Sequence, residues 1–386
     1  VPDAGERLRT LRLLMGLSQD ELAAIAGVSQ PLIHYIEKHT KLATEDFLSK
    51  VAAATSTPRA FFDVDPDDLP TDTLAFRKRA GASAKEVKRV EATVREAYRV
   101  AARLLAETRV RRLQLPRAEG DIDGDMIETL AEQTRDALAV GRDGVLRHVI
   151  RTCERAGIPV VPLVLVDAQG HGEEIVVGHS GVSCWRGADD PYLISYFAAG
   201  SGDRQRFTVA HELGHLVLHT ARRGLSAADA EKEAHRFAGA FLFPQERARE
   251  ALEGVFTLRD LAALKGRWGV SIQAFIMRAS HLGLIDDDRK TSLYKQIAAR
   301  GWRTQEPVTV HAEQPALMRA MLVRRYGEPP SVLQAADDLG LHPVLMRSLA
   351  PDAGSDPAPK AVDNVVSLRT RMQGRPGGGR AITQSR

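Results

Sequence analysis

The run Ala210-His-Glu-Leu-Gly-His-Leu-Val-Leu-His219 sets three histidines and a glutamate into an otherwise apolar stretch. No other segment restricts the fold as much, because the spacing acquires a chemical meaning only on a helix. His211 and His215 are four apart, so on a helix they lie one above the other on a single face and can hold one metal ion through two imidazoles. Glu212 stands between them and brings a carboxylate beside such an ion, within reach of a water there, which is the position a general base needs. An ordinary amphipathic helix that carries histidines would read the same way, so the decision rests on whether the chain supplies further ligands.

A catalytic zinc takes three protein ligands and keeps one position open. Ser226 with Asp229 marks a helix start, and the stretch Glu231-Lys-Glu-Ala-His-Arg-Phe-Ala-Gly-Ala-Phe-Leu-Phe-Pro244 follows, its apolar face made by Phe237, Ala238, Phe241 and Leu242. A short loop between the two helices lets the second fold back so that Glu231 meets the imidazoles. Glu231 and His235 share a face at i, i+4, and Glu233 points elsewhere. The metzincin pattern is excluded, because its third histidine would fall at Ala221. His219 lies two turns beyond His211, better placed to support a ligand than to be one.

A chain of 386 residues is too long for one ordinary core and suggests two or three domains. Hydrophobic residues at 44% and charged residues at 27% mark a globular protein. The two cysteines, Cys153 and Cys184, exclude a disulfide framework or a zinc knuckle and read as buried thiols of a reducing compartment. No apolar run approaches the roughly 18 residues of a membrane span, and the first ten residues, VPDAGERLRT, do not resemble a signal peptide. The expectation is a cytoplasmic protein with no membrane partner.

Residues 5–62 read as five short helices. Leu8, Leu11 and Leu14 form a stripe ending at Gly16; Ser18-Gln-Asp-Glu21 is a capping box; Gly27 ends that helix, and Ser29 opens another with Pro31 in its first turn. Two helices joined by the tight turn Ala26-Gly-Val28 make a helix-turn-helix. At GLSQDELAAIAGVSQPLIHYIEK the sequence resembles the XRE, phage-repressor-like DNA-binding family. In such a unit Gln30, His34 and Tyr35 face outward to base edges, Ile33 and Ile36 point in, and Gln19 touches phosphate. Two positions depart from the family pattern: Pro31 replaces a polar reader and His39 replaces a glycine common after the recognition helix. The implied partner is a double-stranded DNA operator, with room for a homodimer.

Residues 63–83 are rich in Pro, Asp and Gly and read as a linker across which few contacts pass, leaving the flanking domains semi-independent. A helical stretch follows from Ala84 to about Leu115. Between Arg77 and Glu119 stand 13 Lys/Arg against 5 Glu, whereas residues 1–60 are balanced at 7 against 7, so the excess positive charge sits on this connector. It reads either as a track for phosphates or as a solvated charged helix. Segments 158–166, 174–184 and 191–197 are β-rich and suggest a small sheet. Helical periodicity resumes at Arg204 and runs, with breaks, to about Leu349; the Pro/Gly-rich remainder reads as disordered.

At RFTVAHELGHLVLH and EKEAHRFAGAFLFP the chain resembles the ImmA/IrrE family of metallopeptidases, over about residues 120–290; LRDLAALKGRWGVSIQAFIMRASHLGLI also fits the helices that follow the peptidase core. The resemblance implies that His211, His215 and Glu231 bind zinc, that Glu212 is the base, and that the substrate is a repressor or antitoxin-like protein. His235 departs from the family, which usually has Asn there; it either adds a nitrogen to the metal or hydrogen-bonds nearby. Tyr196, His219 and His235 are candidates for assisting at the oxyanion. The competing reading is a non-catalytic transcription factor whose C-terminal part senses metal or a ligand, although a pure binder has no need of Glu212.

The expected fold is thus α+β, mostly α. Its parts are an XRE-type domain at 1–66, a linker and basic helical connector at 67–118, a zincin-like domain with a small sheet at 119–290, a helical region at 291–350 and a disordered tail at 351–386.

Overall fold

A computed structural model describes residues 4–352 except 66–68, 70–73, 76–82, 174–180, 188–189, 198–199, 223 and 255. The expected disordered tail lies, apart from Pro351 and Asp352, outside the described residues.

The first helices form where their caps and stripes place them: α1 (Ala4–Leu14), α2 (Gln19–Ala26), α3 (Gln30–Glu37) and α4 (Glu45–Ala54). Ser18 and Glu21 cap each other, the hydroxyl accepting from the Glu21 amide at 3.1 Å and the carboxylate accepting from the Ser18 amide at 2.7 Å. Gly27 then ends α2 in the left-handed conformation, φ 62°. The fifth expected helix is only a 3₁₀ turn, Arg59–Asp63. His39 takes φ 57° after α3, which explains why glycine suits that position: a side chain in the left-handed region is strained, and histidine tolerates it better than most.

Next come β1 (Leu74–Ala75) and the long connector α5 (Ala84–Thr108). Val90, Val94, Ala97, Tyr98, Ala101, Leu104 and Leu105 of α5 are buried. One stretch of this stripe meets α1: Arg7, fully buried, reaches across to Glu96, its Nη2 donating to Oε2 at 3.0 Å while its Nε donates to the Phe61 carbonyl at 2.9 Å. The expectation that few contacts cross residues 63–83 is therefore corrected. The apolar band of α5 is wide enough to be covered from several sides, and α1–α4 are one of the covers. Several arginines of α5 are likewise engaged within the protein. Arg89 donates to the Val166 carbonyl at 2.6 Å, Arg99 to Glu96 and the Leu339 and Gly340 carbonyls, and Arg103 to Glu107. For Arg89 and Arg99 neither a phosphate track nor a merely solvated helix is the right description, whereas Lys85 and Lys88 of the same helix are exposed.

Further on lie α6 (Gly124–Ala137), α7 (Val149–Arg155), β2 (Val160–Leu163), β3 (Leu165–Val166), β4 (Gly172–Glu173), β5 (Gly181–Cys184) and β6 (Leu193–Phe197). The strands form a sheet in the order β1-β5-β6-β2, with β2 parallel to β6 and the other neighbours antiparallel; β3 and β4 make a separate hairpin. Expected segment 158–166 splits into β2 and β3, and 191–197 contains β6. The part 174–180 of the middle segment lies outside the described residues. Successive residues of a strand point to opposite faces, and both faces of this sheet are covered. Val161, Leu163, Val182, Leu193 and Phe197 join the core that also holds α1–α4. Val160, Ile194 and Tyr196 join a second core.

That second core is built by α6 and α7 with α8 (Gly202–Leu218), α9 (Ala227–Leu242), α10 (Gln245–Leu252), α11 (Leu258–Trp268), α12 (Ile272–His281) and α13 (Asp287–Ala299). The closing helices α14 (Leu317–Tyr326), α15 (Val332–Asp338) and α16 (Pro343–Leu349) return to the first core and pack on α5, β2 and the 3₁₀ turn. No described helix is long and apolar enough to cross a membrane.

Candidate metal centre

The HELGH segment lies in the middle of α8, buried against β5, β6 and α9. Arg206 anchors the start of this helix: it is buried, donates to the Leu146 carbonyl at 2.6 Å and pairs with Glu313, whose carboxylate also takes the Val149 and Ile150 amides at 3.0 and 2.7 Å. Glycine at 214 permits the close approach of α9, because a Cβ there would stand 2.9 Å from the Phe237 ring. This absence of a side chain lets the first turns of α9 reach the histidines.

His211 Nε2 and His215 Nε2 are 3.1 Å apart, and the two oxygens of Glu231 lie 3.5 Å from one and 3.5 Å from the other. Ligand atoms bound tetrahedrally at zinc–nitrogen and zinc–oxygen lengths are separated by about 3.3 Å. The three donors thus already hold the spacing of three corners of such a site, and they are the one group of this kind among the described residues. Burial alone would raise the Glu231 carboxyl, but hydrogen bonds and charge from His211 and His215 outweigh it and hold the group below the usual carboxylate range.

Glu212, one residue along α8, turns toward the sheet. The Ser183 hydroxyl of β5 donates to it at 2.8 Å. Gly181, two residues earlier on the same strand, leaves it room, since a Cβ there would fall 2.8 Å from Glu212 Cγ and Oε1. Burial pushes the Glu212 carboxyl up to about 7, against the lowering pull of His215 and the Ser183 hydrogen bonds. A carboxylate balanced near neutrality beside three metal-type donors can both take up and give back a proton.

Behind the donors runs a polar chain. His215 Nδ1 lies 2.9 Å from His219 Nδ1, and His219 Nε2 lies 3.1 Å from Glu233, which also pairs with Arg222. Burial and the neighbouring His215 push the His219 imidazole down to about 4 despite Glu233, so it is neutral. In the tautomer that leaves Nε2 free for a metal, His215 donates Nδ1–H to His219, and His219 donates Nε2–H to Glu233. That orientation frees the lone pair a metal needs. His219 thus lies between His215 and Glu233, and Glu233, expected to point away, closes the chain.

His235 stands beside the donor set rather than in it, its ring centre 4.8 Å from that of His211 and 5.4 Å from Phe207. It lines a cavity of about 760 Å³ together with Phe207, Lys232, Met277, Tyr294 and Trp302. Tyr196 is placed elsewhere. Its phenol bonds Gln205, and burial raises its pKa beyond the normal range. Nothing in the sequence pointed to Ser183, Gly181 or Gly214, which matter only once β5 and α9 are brought against α8.

Among α1–α3 Gln30 donates to Gln19 at 2.9 Å, Gln19 donates to Glu37 at 2.9 Å, and Arg12 grips Glu37 at 2.6 and 2.8 Å. The two glutamines at the starts of α2 and α3 are thereby held in fixed orientation. His34 and Tyr35 project from α3 into solvent.

Residues 8–62 match the family model of a helix-turn-helix domain, and residues 153–280 match that of the IrrE N-terminal-like domain, a peptidase family. No curated protein matches the chain significantly. The chain is therefore a fusion of an XRE-type helix-turn-helix domain with an ImmA/IrrE-type domain.

Proposed function

We propose that the protein is a DNA-binding regulator whose ImmA/IrrE-type domain is a zinc-dependent endopeptidase acting on a repressor or antitoxin-like protein. The observation that carries this reading is Glu212, buried and held by Ser183 next to a three-donor set whose spacing suits zinc. Zinc on three protein ligands supplies Lewis acidity for the scissile carbonyl and its oxyanion and acidifies water. His211, His215 and Glu231 would hold it, with His219 and Glu233 fixing the tautomer of His215. Glu212 accepts the proton of the attacking water and passes it to the departing amine. The cavity beside His235, largely apolar on its Phe207, Met277 and Trp302 side, accepts substrate side chains.

Purified protein is expected to contain about one zinc per chain. Removing it with a chelator should abolish hydrolysis of casein, and added zinc should restore it. A metal-free, fully active preparation would end this reading.

A second reading, coupling between metal and DNA, is favoured by one observation. The sheet that holds Ser183 against Glu212 shares a core on its other face with the DNA-binding helices. A chelator-induced change in operator affinity above about tenfold, roughly 1.4 kcal/mol, would establish it; a smaller change leaves the two activities separate.

On the DNA side Gln30→Ala is expected to relax sequence preference more than it weakens non-specific binding, because bidentate base contacts carry discrimination. Selection of bound sequences from a random pool checks this. An equal loss on all sequences would rule out direct readout by Gln30.

A further inference from the structure

The cavity beside His235 is larger than substrate side chains alone require. At about 760 Å³ it falls within the range of pockets that enclose whole small molecules, roughly 300–1,000 Å³. Its walls come from α8, α9, α12, α13 and the segment 302–309. Phe207 and His235 close the end towards His211. The segment 302–309 is pinned in place: Glu306 accepts from the Lys265 ammonium at 2.8 Å and from the Ile272 amide at 2.9 Å, and just beyond it the Val310 carbonyl accepts from the Gly202 amide at 3.0 Å. The space is therefore built before anything enters it. Met277, a large apolar side chain left 37% exposed, opens onto it together with Phe207 and Trp302. An apolar ligand would take this surface out of water, which is favourable.

The charges left unpaired around this space are of one sign. The carboxylates of the lining, Asp203 and Glu306, share the buried Lys265 and are only 6% and 7% exposed, while Arg278 holds Glu128 and Lys232 pairs with Asp229. Arg204 and Arg303 also line the cavity; both are exposed, and neither has an ion pair or side-chain hydrogen bond among the described residues. A cation is repelled by these two side chains, and an uncharged molecule leaves them unused. A carboxylate, sulfonate or phosphate gives them charge-assisted hydrogen bonds. We infer that the cavity is a binding site for a small organic anion, its apolar or aromatic body lying among Phe207, Met277 and Trp302 and its charged group on Arg204 and Arg303. Such an occupant takes the space that the peptidase reading gives to substrate side chains, so it blocks them by competition. This consequence rests on that reading; the binding itself does not.

The test uses the full chain with anilinonaphthalene sulfonate, an aromatic anion that fluoresces on leaving water, beside phenylnaphthylamine, the same ring system without the charge. Arg204→Ala combined with Arg303→Ala should weaken the sulfonate by about tenfold, the loss of its charge-assisted contacts, and leave phenylnaphthylamine within about twofold. Ala274→Trp, which puts an indole into the cavity beside Met277, should weaken both dyes by about tenfold or more, because it removes the space they share. Unfolding temperatures check that the variants fold, and the arginine pair, exposed in both members, keeps the test decisive if the new indole disturbs α12. No binding of the sulfonate, or an affinity unchanged by the arginine pair, would overturn the inference. In protein that hydrolyses casein the sulfonate should raise KM and leave kcat unchanged; binding without inhibition would overturn the blocking role. The outcomes separate from the peptidase reading. Binding as expected by a chain that hydrolyses nothing would defeat only that reading, and hydrolysis with a sulfonate affinity indifferent to the variants would defeat only the anion site.

Discussion

Glu212→Gln is expected to retain the metal and lose hydrolysis by about 10²- to 10⁴-fold, the range a positioned general base contributes. Glutamine keeps the size of the side chain and can still accept from the Ser183 hydroxyl, so α8 and the three donors stay in place. It cannot take up a proton. Glu231→Ala should do the reverse and remove the metal, because two imidazoles alone leave the site a ligand short. Measuring zinc content and casein hydrolysis on both variants separates the roles. Glu231→Ala with full metal, or Glu212→Gln with wild-type turnover, would reverse the assignments. The pH profile adds a signed expectation. The base works ionised, so activity is complete above its pKa and lost as pH falls through it. Burial sets the Glu212 carboxyl at about 7 without metal, and a dication beside it favours the charged form. The acid limb of kcat/KM should therefore lie below pH 7 in the zinc-loaded protein.

Glu96→Ala is expected to destabilise the protein by about 3–5 kcal/mol, the cost of stripping one partner from a buried ion pair. Arg7 is fully buried with its guanidinium on Glu96 and its carbon 3.9 Å over the Phe61 ring; without Glu96 it keeps its charge in an apolar site. Replacing both residues, Arg7→Met with Glu96→Leu, should recover most of the loss, because apolar substitutes often match a buried pair. Burial raises the Glu96 carboxyl, but Arg99 and Arg7 outweigh it and hold the group at about 2, below its ordinary 4.5. A depressed carboxyl contributes stability above its unfolded pKa and loses it as pH falls through the folded one. This contribution should fade between about pH 4.5 and 2 and be absent from the Glu96→Ala protein. Urea unfolding checks the size of the effect, and a loss under about 1 kcal/mol would contradict it. Because the sheet joins the first core, which holds α1–α4, α5 and α14–α16, to the second core, which holds Trp185 and Trp268, circular dichroism and tryptophan fluorescence should report coincident transitions.

What was legible in the sequence is what depends on residues a few positions apart. The i, i+4 pairing of His211 and His215, the position of Glu212 between them, the cap of α2 and the apolar stripes of α2, α3, α8 and α9 are local properties of a helix, and they follow from its period. Glu231 was reachable by the same means, because one short loop separates its helix from the histidines. Tertiary structure decided the rest. The hold of Ser183 on Glu212 spans 29 positions and the pair of Arg7 with Glu96 spans 89, and no periodicity links residues so far apart. The basic run on α5 looked like a surface for phosphate because charge counts carry no information about partners. Arg99 and Arg103 instead satisfy carbonyls at the end of α15, where unpaired oxygens would otherwise be left, and Arg89 satisfies one on β3. The Asp- and Pro-containing linker looked like a boundary because composition reports what a segment does by itself. Leu74 and Ala75 became a strand only because β5 left an edge to be paired, and that edge exists only once the sheet has formed.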